Sequence, residues 1–150
     1  MAAPEPSFSA RPQITAELMA RTGLNEAVLT RLVHGFYDRV RADPLLAPIF
    51  ADHITDWGPH LRTMVDFWSS VALMSGRYHG APLPKHLPLP IDHTHFDRWL
   101  SLFRQAAHDT CPPEGALWVI ERAERIAAAI HMNVCGAAGR RGAATPAARH

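Results

Sequence analysis

Wherever apolar residues recur along this chain, they recur at helical spacing. Val28, Leu29, Leu32, Val33, Phe36, Tyr37 and Val40 follow one another in steps that put all of them on one stripe of a helix. Asn25 stands where a side-chain cap belongs and Glu26 brings a negative charge to the first turn. A helix is therefore expected from Glu26 to about Arg41, with Asp43-Pro44 as its stop. His60, Met64, Phe67 and Val71 share a face and predict a helix from near Asp56 to about Ser75, closed by Gly76 and Gly80. Asp92 is placed to cap a further helix carrying His95, Phe96, Trp99, Leu100 and Phe103. After Cys111-Pro112-Pro113 another holds Leu117, Ile120, Ala123, Ala127 and Ile130. A short helix over Thr15–Arg21, ended by Gly23, precedes these four substantial ones. No alternating β-branched run or Asn-Gly hairpin signal appears, so the expected fold class is all-α.

Four stretches fall outside the helical pattern. Residues 1–13 contain three prolines and read as a flexible arm. Pro48-Ile49-Phe50 reads as a loop. Residues 136–150 are small and basic without hydrophobic period and read as a disordered tail, which leaves 14–135 as the ordered domain. The fourth is the run Pro82-Leu83-Pro84-Lys85-His86-Leu87-Pro88-Leu89-Pro90-Ile91. Pro84 suits the first position of a helical turn, and Pro88 pushes Leu87 out of helical geometry. His86 is thus presented on a short, stiff segment whose apolar neighbours favour burial. Such a histidine is a candidate axial ligand for a buried metal cofactor; the alternative is a partly exposed loop histidine.

Composition narrows the classes. At 150 residues, 47% apolar and 19% charged, the chain has the mix of a single globular domain. Its net charge of +1 points to neither nucleic acid nor an anionic membrane surface. No stretch approaches the roughly 20 apolar residues of a membrane span. The first residues lack the hydrophobic run of a secretory signal, so Cys111 and Cys135 are expected as free thiols in the cytoplasm.

Ten histidines are unusual, and placing them brings out the chemistry. A haem pocket needs one neutral imidazole, apolar walls and, for a polar gas ligand, hydrogen-bond donors opposite that imidazole. His86 offers the first. Phe50, Met64, Phe67, Phe96, Leu100 and Phe103 offer walls. Tyr37, His60 and Trp99 sit on the apolar stripes of three different helices, each with a donor. Singly, these are a core tyrosine, a satisfied histidine and a packing tryptophan; jointly, they describe one face of a pocket. Two other readings stand beside this one. A zinc site through His93-x-His95 or His131-x₃-Cys135 has no completing pair at usual spacing. A cofactor-free helical interaction module needs no site.

Four motifs carry a family resemblance. Gly35-Phe36-Tyr37-Asp38-Arg39-Val40 through Phe50, His60 ahead of Asp66-Phe67-Trp68, Tyr78 through Leu87, and His95 through Phe103 occur in the order and spacing of the truncated haemoglobins, the two-on-two helical globins. Their combination of tyrosine, histidine and tryptophan resembles the third group of that family, over about residues 14–134. The resemblance implies a haem b with His86 as the proximal iron ligand and Tyr37, His60 and Trp99 on the distal side. It places Phe50, Met64, Phe67 and Phe96 against the porphyrin, and makes Tyr78 and Lys85 partners of a propionate. It also implies binding of dioxygen, nitric oxide and carbon monoxide at a pentacoordinate iron, with oxidation of nitric oxide to nitrate as the expected chemistry. Peroxidase-like activity, gas sensing and oxygen transport are the alternatives, as is ligation of the ligand-free iron by His60. No flavin or nicotinamide fingerprint is present, so catalysis would draw electrons from a separate reductase.

Overall fold

The computed structural model of the protein describes residues 6–78 and 91–144, with side chains over 11–78 and 91–132. Among these residues the elements are six helices and no strands: α1 (Pro6–Thr22), α2 (Glu26–Ala42), α3 (Ala47–His53), α4 (Trp57–Leu73), α5 (His93–Thr110) and α6 (Pro113–Ala144). Local chemistry sets most of their ends. The Asn25 side chain accepts from the Val28 N–H at 2.9 Å and starts α2. Asp92 starts α5 through a reciprocal capping box with His95. Gly23, at φ +76°, supplies the left-handed residue that ends α1. Met74 takes the same conformation after α4, at φ 56°.

The helices pack as two pairs. α2 rests on α4, α5 rests on α6, and the pairs meet where α2 packs on α5 and α4 on α6. This is the two-over-two helical sandwich. At its centre Phe36 of α2 meets Tyr37, Trp99 and Phe103 edge-on at 4.9, 5.2 and 5.4 Å. Phe103 in turn stacks on Trp68 of α4 at 4.8 Å and on Trp99 at 5.6 Å. Burying each large aromatic stabilises by roughly 1.5–3 kcal/mol. Away from this cluster, Trp118 of α6 donates its indole N–H to the Ala72 carbonyl and lies between the guanidinium groups of Arg21 and Arg122. That contact joins α1, α4 and α6.

Three expectations are corrected. α1 begins at Pro6 rather than Thr15, because a proline at the first helical position needs no N–H partner. Residues 47–53 form α3 instead of a loop; Pro48 falls in its first turn, where its missing donor costs nothing. α6 runs through residues 136–144, which were expected as disordered. Extending an existing helix adds one hydrogen bond per residue without a new nucleus, and the alanines there favour it.

The corner between α2 and α3 depends on one carboxylate. Asp43, 8% exposed, accepts from the Leu45 and Leu46 amides at 3.1 and 3.0 Å and from the Arg98 guanidinium of α5. Burial raises its pKa, but the Arg98 hydrogen bond, the Leu46 amide, the Arg98 charge and the Leu45 amide outweigh that and hold it below the ordinary value. Arg98 is 44% exposed, so the amide bonds contribute more than the ion pair. A depressed folded-state pKa means that the stabilisation is present above the ordinary carboxylate pKa of about 3.9 and is lost as pH falls through the folded value. Replacing Asp43 with alanine is expected to cost about 2 kcal/mol in urea unfolding at neutral pH. The acid-induced loss of stability between pH 5 and pH 3, taken as a rough window from the carboxylate range, should shrink in the same variant.

Candidate functional site

A cavity of about 750 Å³, counting its open mouth, lies between the two helix pairs. α2 contributes Tyr37, the α2–α3 corner Leu46, and α3 Ile49 and Phe50. α4 contributes Met64, Phe67 and Trp68. Ile91 precedes α5, which brings His95, Phe96 and Trp99, and α6 closes the far side with Ile126, Ala127 and Ile130. Tyr37, Trp68, His95 and Trp99 are the lining side chains with a nitrogen or oxygen atom; the others are hydrocarbon and thioether.

Tyr37 is 5% exposed, and burial pushes its hydroxyl pKa up, so the phenol keeps its proton at neutral pH and remains a donor. Its ring sits edge-on to Phe50 at 6.0 Å and to His60 at 5.1 Å. Trp99 lies flat on Phe103, with 11° between the ring planes, and that stacking fixes the plane of the indole. Both donors therefore belong to rings locked by neighbours in the central aromatic cluster.

Of the residues expected at the site, Tyr37, Phe50, Met64, Phe67, Phe96 and Trp99 line the cavity together. His60 stands against Tyr37 rather than on the wall. Leu100 and Phe103, expected as walls, are not part of the lining: Phe103 is 1% exposed, turned into the core between Trp68 and Trp99, and Leu100 packs against the same core. Tyr78 packs edge-on against Phe67 at 5.1 Å and its amide donates to Ser70 Oγ; it backs the wall without lining it. His86 and Lys85 lie outside the described residues.

Leu46, Ile49, Trp68, Ile91, His95, Ile126, Ala127 and Ile130 were not among the expected site residues. For His95 a signal was present, because Asp92 and His95 have the spacing of a capping box. His95 Nδ1 lies 3.0 Å from the Asp92 amide nitrogen and 3.0 Å from the Asp92 carboxylate, so the cap ties its ring to the start of α5. His131, from the weighed zinc pattern, packs its ring on Phe96 at 4.7 Å.

The family model for bacterial-like globins matches residues 18–132. The curated group 3 truncated hemoglobin ctb of Campylobacter jejuni is 34% identical over 109 residues, covering 69% of this chain and 86% of that protein. The chain belongs to the truncated haemoglobins. Solved structures agree with the assignment. The group III truncated hemoglobin from Campylobacter jejuni superposes with a TM-score of 0.70 at 33% identity, over 74% of this chain and 91% of that one. The truncated oxygen-avid haemoglobin from Bacillus subtilis gives 0.62 at 30% identity, over 72% of this chain and 94% of that one.

As a truncated haemoglobin the protein is a haem-binding globin, and its cavity suits that group. Apolar and aromatic walls on α4, α5 and α6 match a porphyrin's faces, and two neutral donors, Tyr37 and Trp99, stand on the same wall. Ala127, 4% exposed, lines the cavity from α6, so a larger side chain there takes up cavity space. Ala127→Trp should therefore abolish stoichiometric haemin uptake in an absorbance titration while the far-ultraviolet circular dichroism stays helical. Undiminished uptake would mean that the porphyrin does not occupy this cavity.

Proposed function

We propose that this truncated haemoglobin binds dioxygen and other diatomic gases and uses bound oxygen to oxidise nitric oxide to nitrate. The observation that carries the proposal is the pair of locked, proton-bearing rings, Tyr37 and Trp99, on one wall of an otherwise apolar cavity. In this reading His86 would hold the iron, Phe50, Met64, Phe67 and Phe96 would contact the porphyrin, and Tyr78 and Lys85 would serve its propionates. When bound, haem b would supply the iron chemistry that binds and reduces a diatomic gas.

The chain's own residues then decide how the gas is held. Tyr37 offers an O–H that burial keeps protonated, and Trp99 an indole N–H that can only donate. A ligand whose outer atom gains negative charge draws on both. Each such hydrogen bond contributes about 1.5–3 kcal/mol, so two slow ligand release by about 100-fold or more. The hydrocarbon wall excludes water and strengthens both bonds. Retention of that order suits chemistry on oxygen better than its delivery. His60, in contact with Tyr37, is the third polar group of this side. Nitric oxide, dioxygen and one electron combine to give nitrate, and the electron comes from a separate reductase. A reducing cytoplasm is in keeping with the free thiol of Cys111.

Three measurements test the proposal. Purified protein is expected to show an intense Soret band that is lost or strongly shifted in His86→Ala. Tyr37→Phe is expected to speed oxygen dissociation by about tenfold or more in stopped-flow, the worth of one charge-assisted hydrogen bond. An unchanged rate would remove Tyr37 as a donor, and peroxide turnover exceeding nitric oxide consumption would replace the dioxygenase reading with a peroxidase.

A further inference from the structure

Behind Tyr37 and His60 stands a third ring. Trp57, the first residue of α4, has its centroid 5.6 Å from that of Tyr37, tilted by 58°, and 5.6 Å from that of His60, nearly perpendicular at 88°. Tyr37 and His60 meet each other at 5.1 Å and 81°. The three rings form a closed triangle, with every side inside the range of favourable aromatic contact. Arg41, one turn beyond Tyr37 on α2, lays its guanidinium 4.6 Å from the Trp57 centroid. Burial grades outward along this line: Tyr37 is buried and on the cavity wall, Trp57 is half-buried, and Arg41 is exposed. Trp99, the other donor, is backed differently, by Phe36 and Phe103 of the core. Trp57 and Arg41 thus back only the Tyr37–His60 side.

We infer that Trp57, clamped beneath Arg41, is the positioning residue of the Tyr37–His60 pair and the closure of the α2–α4 side of the cavity against water and incoming ligands. Trp57 touches two of the three polar groups proposed to face the ligand, and it fixes both at once. Without its indole, two sides of the triangle are lost. The phenol and imidazole gain rotamer freedom, and solvent reaches the back of Tyr37. Small neutral gases then enter faster, and the donor geometry they meet is less well defined. Arg41 acts through Trp57: an exposed cation–π contact of about 0.5–1 kcal/mol biases the closed arrangement without being required for it. The inference rests on the haem-binding reading of the same cavity.

Carbon monoxide rebinding after flash photolysis tests the closure, and the C–O stretching frequency reports the polar surroundings of the ligand. In haem-loaded Trp57→Ala the association rate should rise about tenfold or more, and the C–O band should shift and broaden. Arg41→Gln, which leaves all three rings in place, should raise the rate by about two- to fivefold. Trp57→Phe, which keeps a ring in the triangle, should restore most of the wild-type rate and band. A readout without haem follows from burial: in a Tyr78→Phe background, ionisation of the remaining phenol, followed by ultraviolet absorbance, should move to lower pH when Trp57 is replaced by alanine. Wild-type rebinding and an unshifted band in haem-loaded Trp57→Ala would overturn the inference and leave the haem reading intact. If that variant fails to fold, a wild-type rate in Arg41→Gln, against the rise of about two- to fivefold expected for a lost cation–π contact, overturns the clamp. A wild-type protein without a Soret band overturns the haem reading itself.

Discussion

Phe36 is the contact on which the rest of the site depends. Its ring, 2% exposed, takes Tyr37, Trp99 and Phe103 edge-on at once. An edge-to-face contact constrains the angle as well as the distance, because the positive rim of one ring meets the negative face of another. Three such contacts on one residue fix α2 against α5 and set the planes of the two donor rings relative to each other. Phe103 extends the constraint to Trp68 and so to α4. The core and the site are therefore one aromatic assembly: packing holds the donors in place, and no polar network is required beneath them. This matters in a hydrocarbon-walled cavity, where unpartnered polar supports would be costly.

A second constraint acts at the edge. The carboxylate of Asp43 gathers two amides at the α2–α3 corner and an arginine one residue before Trp99. Leu46, whose amide it receives, lies on the cavity wall together with Ile49 and Phe50. The corner therefore carries three wall residues, and their position relative to α5 is held by a single buried side chain. Aromatic packing sets the interior of the cavity, and one carboxylate sets its rim.

Much of this was legible in the residues before any coordinates. The stripe on α2 and the caps at Asn25 and Asp92 appear where their spacing and chemistry put them. Six of the expected site residues share one cavity, because helical periodicity says which side chains leave on the same face. Periodicity does not say how far around that face the core ends and the cavity begins. Trp99 and Phe103 are a turn apart on one stripe, yet the first reaches the wall while the second is stacked behind it. The same limit hid Ile126, whose role depends on where α6 crosses α5. Pro48 reads as part of a loop and residues 136–144 as disordered for want of a hydrophobic period, but a proline in the first turn loses no hydrogen bond and extension of a formed helix needs no new nucleus. The loop with His86 and Lys85 lies outside the described residues, so the axial ligand rests on its motif.

The four tryptophans divide unevenly across the molecule. Trp68 and Trp99 lie on the cavity wall and Trp57 stands one ring behind it, whereas Trp118 is held between two arginines at the junction of α1, α4 and α6. Three of the four indoles thus sit on the cavity wall or one ring behind it. The emission of this protein is a built-in gauge of what that space contains, and the indole of Trp118 adds a component that senses the scaffold more than the contents.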